Sequence, residues 1–342
     1  MNHDDVFMAK KIYIPFDFEE ENMLPYWRQF PDPKHMVWKD CIFTFEDCDD
    51  YDYLVVIDNI ARPVKTHLPK SNRVLLIGEP PYVDKYDKAY IRQFGVVHTC
   101  IRRDFPGQRV INSFPALPWM VGYKQKEGRG LQGLQGKYLA YADFKNLPHN
   151  ADRKDRLCII TSNKTMTKGH RQRVAFVERL LSEGVDFVDV YGNGYQHVDD
   201  KFDVLYNYKY ALVIENCAHT DYWTEKLADC ILAGCYPIYH GAPNVSQYFG
   251  EGVTTVDINN YDETLRVLHH IISQKTYESS TASMAANRDR VLDEYNCFNV
   301  IADVVDGIPA ASALLGQKEL INPIHPRLTL RIKDKIQRMM RR

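Results

Sequence analysis

The sequence predicts an α/β protein built on parallel sheets. Short, continuous apolar runs bounded by polar residues have the length and type of strands buried on both faces; examples are YLVVI at 53–57, VLLI at 74–77 and LCIIT at 157–161. In the second half these runs alternate with amphipathic stretches as β-α-β-α-β-α-β, the layout of a nucleotide-binding Rossmann-like half. Within it, residues 208–241 read as strand, polar loop, helix, strand, which implies a parallel sheet.

In chain order, the first half offers strands at 11–16 (KIYIPF), 53–57, 74–77 and 96–99, joined by segments rich in Tyr, Asp and Pro. Residues 122–137, rich in Gly, Gln and charge, read as a surface loop or flap, and 143–155, with Pro148, Asn150 and Asp152, as a linker. The expected organisation is a domain of residues 1–150, a second of 151–310 and a C-terminal segment of 311–342.

The second domain opens on a strand at 157–161 and a basic loop at 162–170. A helix at 171–182 follows, with Val174, Val177, Leu180 and Leu181 on one face and Gly184 ending it. Next come a strand at 185–190 and a helical stretch at 201–208. After a strand at 211–214, Thr224 can cap a helix that begins at Glu225, carries Leu227, Cys230 and Ile231 on its apolar face and stops at Gly234. Residues 236–239 and 253–258 read as strands, and 262–273 and 277–295 as surface helices.

The 342 residues are 45% hydrophobic and 26% charged, an ordinary soluble composition, and the net charge of −2 argues against a general nucleic-acid binder. Residues 327–342 hold seven Lys or Arg against one Asp, a net +6 that leaves −8 on the rest. Leu328, Ile332, Ile336 and Met339 or Met340 fall near one helical face of that tail, with basic residues elsewhere, the pattern of a helix lying on an anionic membrane surface. None of the eight cysteines stands in CxxC spacing, so a structural zinc is not expected and free thiols in a reducing setting are. The first residues lack a signal-peptide core, and no run approaches the ~20 apolar residues needed to cross a bilayer. The expected location is cytoplasmic, peripherally on the inner face of the membrane.

The chemistry gathers at two strand-to-helix junctions. A helix N-terminus offers unpaired N–H groups and partial positive charge, which suits a phosphate. Lys226, in the first turn, opposes that dipole, and an anion in front of it would explain the choice; Glu225 suits the dipole as it stands. Arg173, with Arg171, sits after another strand end beside Lys164 and Lys168, and Arg is the better fork for a diphosphate. The bland alternative is a solvated basic loop. Glu79, in Gly78-Glu79-Pro80-Pro81, lies where open α/β sheets collect ligands, and a carboxylate held there can act as a general base or be a solvated loop residue. The Rossmann-like half at 151–310 carries no GxGxxG, which disfavours a dinucleotide there.

Tyr208-Lys209-Tyr210, Glu215-Asn216, Asp221-Tyr222-x-Thr224-Glu225-Lys226 and Ala233-Gly234-x-x-Pro237 resemble the donor-site signature of the α1,3/4-fucosyltransferases, glycosyltransferase family 10. Ser162-Asn163, Arg173-x-x-Phe176 and Val188-Asp189-x-x-Gly192 resemble the family's earlier nucleotide-domain motifs, and Gly78-Glu79 is similar to its catalytic-base segment. The resemblance is strong over 157–245, weaker over 73–81 and faint elsewhere. It implies a GT-B architecture, two Rossmann-like domains facing a central cleft, and inverting transfer of L-fucose from GDP-β-L-fucose to a glycan hydroxyl, with α1,3 linkage and a bacterial lipopolysaccharide or capsule acceptor.

Under that resemblance Glu79 is the base, and Arg173 and Lys226 hold the donor diphosphate. Glu225 lies near the fucose and ribose. Asn216, Tyr222, Ser162, Asn163 and Thr224 complete the donor site. No metal ligands and no required cofactor are implied, with Mn²⁺ or Mg²⁺ stimulation left open. Cys217, Trp223 and Asn193 depart from the family's usual Ser, small branched residue and Arg. The competing readings are a transferase for another GDP-6-deoxyhexose and a non-catalytic sugar-nucleotide or glycan-binding protein.

Overall fold

Two sheets set the frame of the molecule, a computed structural model that describes residues 9–16, 24–82, 86–124, 138–311 and 313–324. The basic tail at 327–342 and residues 125–137 of the expected flap lie outside them. The first lobe contributes β1 (Lys10–Tyr13), β2 (Val37–Trp38), β3 (Cys41–Thr44), β4 (Tyr53–Ile57), β5 (Val64–Thr66), β6 (Arg73–Ile77), β7 (Val96–Thr99) and β8 (Arg109–Asn112). All but β5 join one sheet in the order β2-β3-β1-β4-β6-β7-β8, parallel except for the antiparallel edge strand β2.

The second lobe contributes β9 (Lys154–Ser162), β10 (Val188–Asn193), β11 (Tyr208–Ile214), β12 (Tyr236–His240) and β13 (Thr254–Thr255), all parallel in the order β10-β9-β11-β12-β13. The strand order reverses between β9 and β11, so a crevice opens beyond their carboxyl ends, where such sheets bind ligands. The GT-B expectation of two Rossmann-like lobes is met.

The central strands fall where the apolar runs placed them, and the differences have local causes. The helix expected from residue 171 is Lys168–Ser182: Thr167 caps it, accepting from His170 N at 3.2 Å, while His170 Nδ1 accepts from Thr167 N at 3.3 Å. Arg173 therefore lies in the second turn, not at the start. The strand expected at 185–190 is β10, three residues later, because Val185 belongs to the helix end. Gly184 is left-handed (φ +66), and Val185 N donates to Leu180 O while Gly184 N donates to Leu181 O, a Schellman closure. The strand expected at 253–258 shrinks to β13, and the helix expected at 277–295 divides into Thr276–Ser279 and Thr281–Asp293 at Ser280.

The helix Cys297–Asp306 returns to the first lobe. Its Phe298 stacks on Phe30 at 3.9 Å and meets Phe43 edge-on at 5.0 Å, and Trp38 Nε1 donates to Asn299 Oδ1 at 2.9 Å. The final strand, β14 (Glu319–Ile321), pairs antiparallel with β5. One apolar cluster consequently runs through both lobes, from Val55 and Leu76 through Trp119 to Trp223, Leu227 and Phe298.

A strap at 119–122 crosses between the lobes and is held by buried charged side chains. Arg28, fully buried, donates to Trp119 O at 2.7 Å and to Leu139 O at 2.6 Å. Asp229 Oδ1 accepts from Met120 N at 2.8 Å, and Asp200 Oδ1 from Gly122 N at 2.9 Å. Burial pushes the Asp200 carboxyl up to about 6 from the ordinary 3.8, against its backbone donors. The native state thus binds this proton more tightly than the unfolded chain. The group contributes stability below the ordinary carboxylate range, and that stability is lost as pH rises through about 6. Asp200→Asn, neutral at every pH, should match the wild type near pH 4 and exceed it in thermal unfolding temperature above pH 6; equal melting temperatures at pH 7 would refute this.

Candidate functional site

The crevice at the strand reversal is lined by the ends of β9 and β11. Ser162 is the last residue of β9, and Glu215 and Asn216 follow β11. Arg173, 5% exposed, bridges the two ends: Nη1 donates to Asn216 Oδ1 at 3.0 Å, and Nη2 to Ser162 Oγ at 3.2 Å and O at 3.3 Å. Its Nε is buried without a partner. Burial pulls the guanidinium pKa down, opposed by Tyr195 and Glu215. A buried cation that bridges two strand ends at a crevice is placed to attract an anion there. Asn163 is exposed; its N donates to Asn193 O at 3.0 Å and its side chain sits against Gly194. The helix start at Gly169 touches this loop so closely that a Cβ there would lie 1.9 Å from Asn216 O.

On the other side of Asn216 the helix Glu225–Leu232 begins, as expected. Thr224 caps it, accepting from Lys226 N at 3.4 Å, and is itself held by Glu215. Glu215 is 2% exposed, and its carboxylate accepts from Thr224 N at 2.8 Å and from Thr224 Oγ1 at 2.9 Å. Lys226 Nζ lies 3.3 Å from Glu215 Oε2, 3.1 Å from Glu225 Oε1 and 3.0 Å from Thr224 Oγ1. Burial raises the Glu215 pKa and Lys226 pulls it back. Burial also opposes ionisation of Glu225, but Lys226 and then Lys201 outweigh it and bring the carboxyl down to about 2. Lys226, in turn, is held protonated: burial lowers its pKa, and Glu215 and Glu225 overcome that. Arg173 and Lys226 thus flank the dipeptide Glu215–Asn216, and His170, lowered by burial, registers both positive charges.

From the first lobe, the turn after β6 reaches this loop. Gly78 N donates to Asp58 Oδ1 at 2.8 Å, which fixes the start of the turn, and Glu79 follows, half-buried. Three residues on, Tyr82 OH donates to Asn216 O at 3.3 Å and feels the charges of both Glu79 and Lys226. The structure brings the Glu79 turn, the Arg173 crevice and the Lys226 helix to one place. Tyr222 lies at their border, 3% exposed, packed in the apolar cluster of the first lobe with Cys100, Ile101 and Phe105.

Several contributors had no role in the sequence reading. Glu215 was visible as the residue at a strand's carboxyl end. Asp229 was visible as an acid on the apolar face of an otherwise amphipathic helix. Asp221, in the left-handed region (φ +65), pairs with Arg102 of the first lobe at 2.5 Å and accepts from Asn244 Nδ2 at 2.7 Å and Tyr248 OH at 2.8 Å. Trp223 stacks on Phe114 of the first lobe at 4.3 Å and 12°, ringed by Tyr248, Phe249 and Tyr295. The large residue at 223 thus fills the interlobe seam. No sequence signal pointed to Lys201 or Arg102. All eight cysteines are unbridged, and the described residues hold no cluster of three or more potential metal ligands.

Comparison with known proteins follows this division. Residues 150–279 match the model of glycosyltransferase family 10 (fucosyltransferase), C-terminal part. A stretch of 81 residues, 23% of the chain, is 33% identical to the α-(1,3)-fucosyltransferase FucT of Helicobacter pylori, covering 17% of that protein. A stretch of 60 residues, 18% of the chain, is 35% identical to the GDP-fucose protein O-fucosyltransferase 3 of Danio rerio, covering 13% of it. The aligned stretches therefore span less than a fifth of either relative's length. In fold, the chain is similar to a crystal structure of an α1,3-fucosyltransferase with GDP, at a TM-score of 0.51 and 18% identity over 91% of this chain and 94% of that one. Residues 150–279, which hold Arg173, Asn216, Glu225 and Lys226, are thus the part of the chain that is similar to glycosyltransferase family 10 (fucosyltransferase).

Proposed function

We propose that the protein transfers L-fucose from GDP-β-L-fucose to an acceptor hydroxyl with inversion, giving an α-linked product. The observation that carries this reading is the placement of Arg173 and Lys226 on two sides of Glu215–Asn216, with the Glu79 turn against the same loop.

The diphosphate would lie over the crevice between β9 and β11. There Arg173, Lys226 and the positive end of the Glu225–Leu232 helix would meet it. Glu79 accepts the proton of the acceptor hydroxyl. The freed oxygen attacks the anomeric carbon from the face opposite the nucleotide, and the carbon–oxygen bond to the diphosphate breaks with its electron pair leaving on GDP. Negative charge grows on the leaving oxygens in the transition state, and fixed cations in a largely dry site stabilise it without reorganising. Glu225 stays ionised because Lys226 and Lys201 pull its carboxyl down, and a carboxylate beside the sugar lowers the energy of an oxocarbenium-like ring. Ser162, Asn163, Asn216, Tyr222 and Thr224 complete the donor-binding set, and no resident metal or other cofactor is assigned to it.

For the acceptor, we favour a glycan hydroxyl in α1,3 linkage, on a cell-surface polysaccharide assembled at the cytoplasmic face of the membrane. A protein hydroxyl is the second candidate, because one relative is named for protein O-fucosylation.

Arg173→Ala and Lys226→Ala should each weaken GDP binding by about ten- to a hundredfold, the worth of a lost charge-assisted hydrogen bond. Glu79→Gln should keep GDP affinity and lower transfer by about 100-fold or more, the usual share of a general base. Calorimetric GDP titration and release of GDP with a mixed glycan acceptor pool measure the two quantities. Normal transfer by Glu79→Gln would remove Glu79 as base.

Deleting 327–342 should abolish sedimentation with anionic liposomes and leave transfer to a soluble acceptor intact; unchanged liposome binding would end the membrane role of the tail.

A further inference from the structure

The Trp119–Met120 peptide group is held from both sides. Its carbonyl oxygen accepts from Arg28 Nη2 at 2.7 Å, and its N–H donates to Asp229 Oδ1 at 2.8 Å. Arg28 is fully buried and comes from the first half of the chain; Asp229, 1% exposed, sits in the Glu225–Leu232 helix of the second lobe. One peptide plane therefore registers the base-bearing lobe against the helix that carries Glu225 and Lys226.

Asp229 could not stay charged there alone, since an isolated carboxylate in a dry interior is strongly disfavoured. Its other oxygen accepts from Lys201 Nζ at 2.8 Å. Lys201 is the first residue of the helix Lys201–Leu205, and the cap of that helix, Asp200, takes Gly122 N two residues along the same strap. Lys201, Lys226 and Asp229 also line one small, partly open pocket of about 40 Å³ beside β11. The Lys201 head thus lies under the first turn of the donor helix, where Glu225 attracts it and Lys226 repels it.

We propose that Lys201 is a positioning residue for transfer, which with Asp229 ties the donor helix to the interlobe strap and so sets the distance between the donor residues and Glu79. The inference rests on the transfer reading above. Its mechanical basis is short: Asp229 stands one helical turn from Glu225 and Lys226, about 5 Å of rigid rise, so a shift of the strap passes to both. Lys201 touches no reacting atom. Its removal would leave donor binding within the second lobe and spoil the registry between lobes.

The test compares wild type, Lys201→Met, Lys201→Arg and Asp229→Ala by transfer kinetics from GDP-fucose, GDP affinity, and hydrogen exchange of the peptide covering 119–124. In Lys201→Met and Asp229→Ala, kcat should fall roughly ten- to a hundredfold, the cost of a misplacement of about 1 Å. GDP affinity should stay near wild type, and exchange at 119–124 should speed up. Lys201→Arg should recover most of kcat. A folded Lys201→Met with wild-type kcat and exchange overturns the inference. So does a fall in kcat matched by a fall in GDP affinity with exchange unaltered. If Lys201→Met does not fold, Lys201→Met/Asp229→Asn removes the pair together and keeps an oxygen for Met120 N; the same fall in kcat supports the tie, and its absence refutes it. A wild type that binds GDP but transfers no fucose defeats the transfer reading. The exchange data then decide the tie alone, faster exchange supporting it and unchanged exchange overturning it.

Discussion

The site depends on one buried carboxylate. Glu215 directly follows β11 with its side chain out of contact with water, a placement that costs several kcal/mol unless its lone pairs are filled. Thr224 fills them twice, through its N–H and its hydroxyl, and Lys226 supplies the opposite charge. The same contacts that compensate the carboxylate fix where the next helix starts and where its lysine points. Thr224 is at once the helix cap and the ligand of Glu215. The strand end, the cap and the donor cation therefore cannot be placed independently: moving any one leaves a buried charge or a buried amide without a partner.

The charges form a chain rather than separate pairs. Glu215, Lys226, Glu225, Lys201 and Asp229 alternate in sign from the end of β11 to the interlobe strap. Each carboxylate is desolvated and faces a lysine that another carboxylate also faces; the lysines bring Glu225 below the ordinary carboxylate range, while burial outweighs them at Glu215 and Asp229. A network of this kind adds little net stability compared with an apolar core of the same volume, but it admits few alternative arrangements. Rigidity is what a transfer site needs. In the proposed transfer, the acceptor oxygen, the anomeric carbon and the departing diphosphate must stay in line while the donor is held from one lobe and the base from the other.

The second lobe was legible because parallel βα units impose a strong pattern. Buried strands read as apolar runs, and Thr224, Glu225 and Gly234 marked a helix with a start and an end. Pattern failed where tertiary contacts or local capping decided. The Thr167–His170 cap lacks the Glu or Gln of the usual signature, so the helix before Arg173 began three residues earlier than its periodicity suggested. β2, β3, β5 and β8 are two to four residues long, too short for a periodic signal, and three of them are sheet edges. The helix Cys297–Asp306 shows its apolar character locally, but nothing in the chain says that Phe298 will lie on Phe30, 268 positions away.

The candidate residues divide in the same way. Arg173, Glu225 and Lys226 were visible because each lies in the first turns of a helix that follows a strand, and Glu79 because it stands just beyond the carboxyl end of β6, where the topology itself gathers ligands. The charge of Lys226 opposes the local helix preference, and that conflict is readable from one dimension. Lys201 and Asp229 carry no such conflict. Lysine opening a short helix is unremarked, and a lone aspartate on an apolar helix face can be a mistake of periodicity or a buried ion. Their meaning appears only when the fold sets a lysine 28 residues upstream of its aspartate at 2.8 Å. The same reasoning explains why the donor half of the proposed reaction is readable and the acceptor half is not. The donor would meet strand-to-helix junctions of fixed geometry, while the first lobe would meet its ligand through turns such as Gly78–Tyr82, held by Asp58 at one end and by Asn216 of the other lobe at the other.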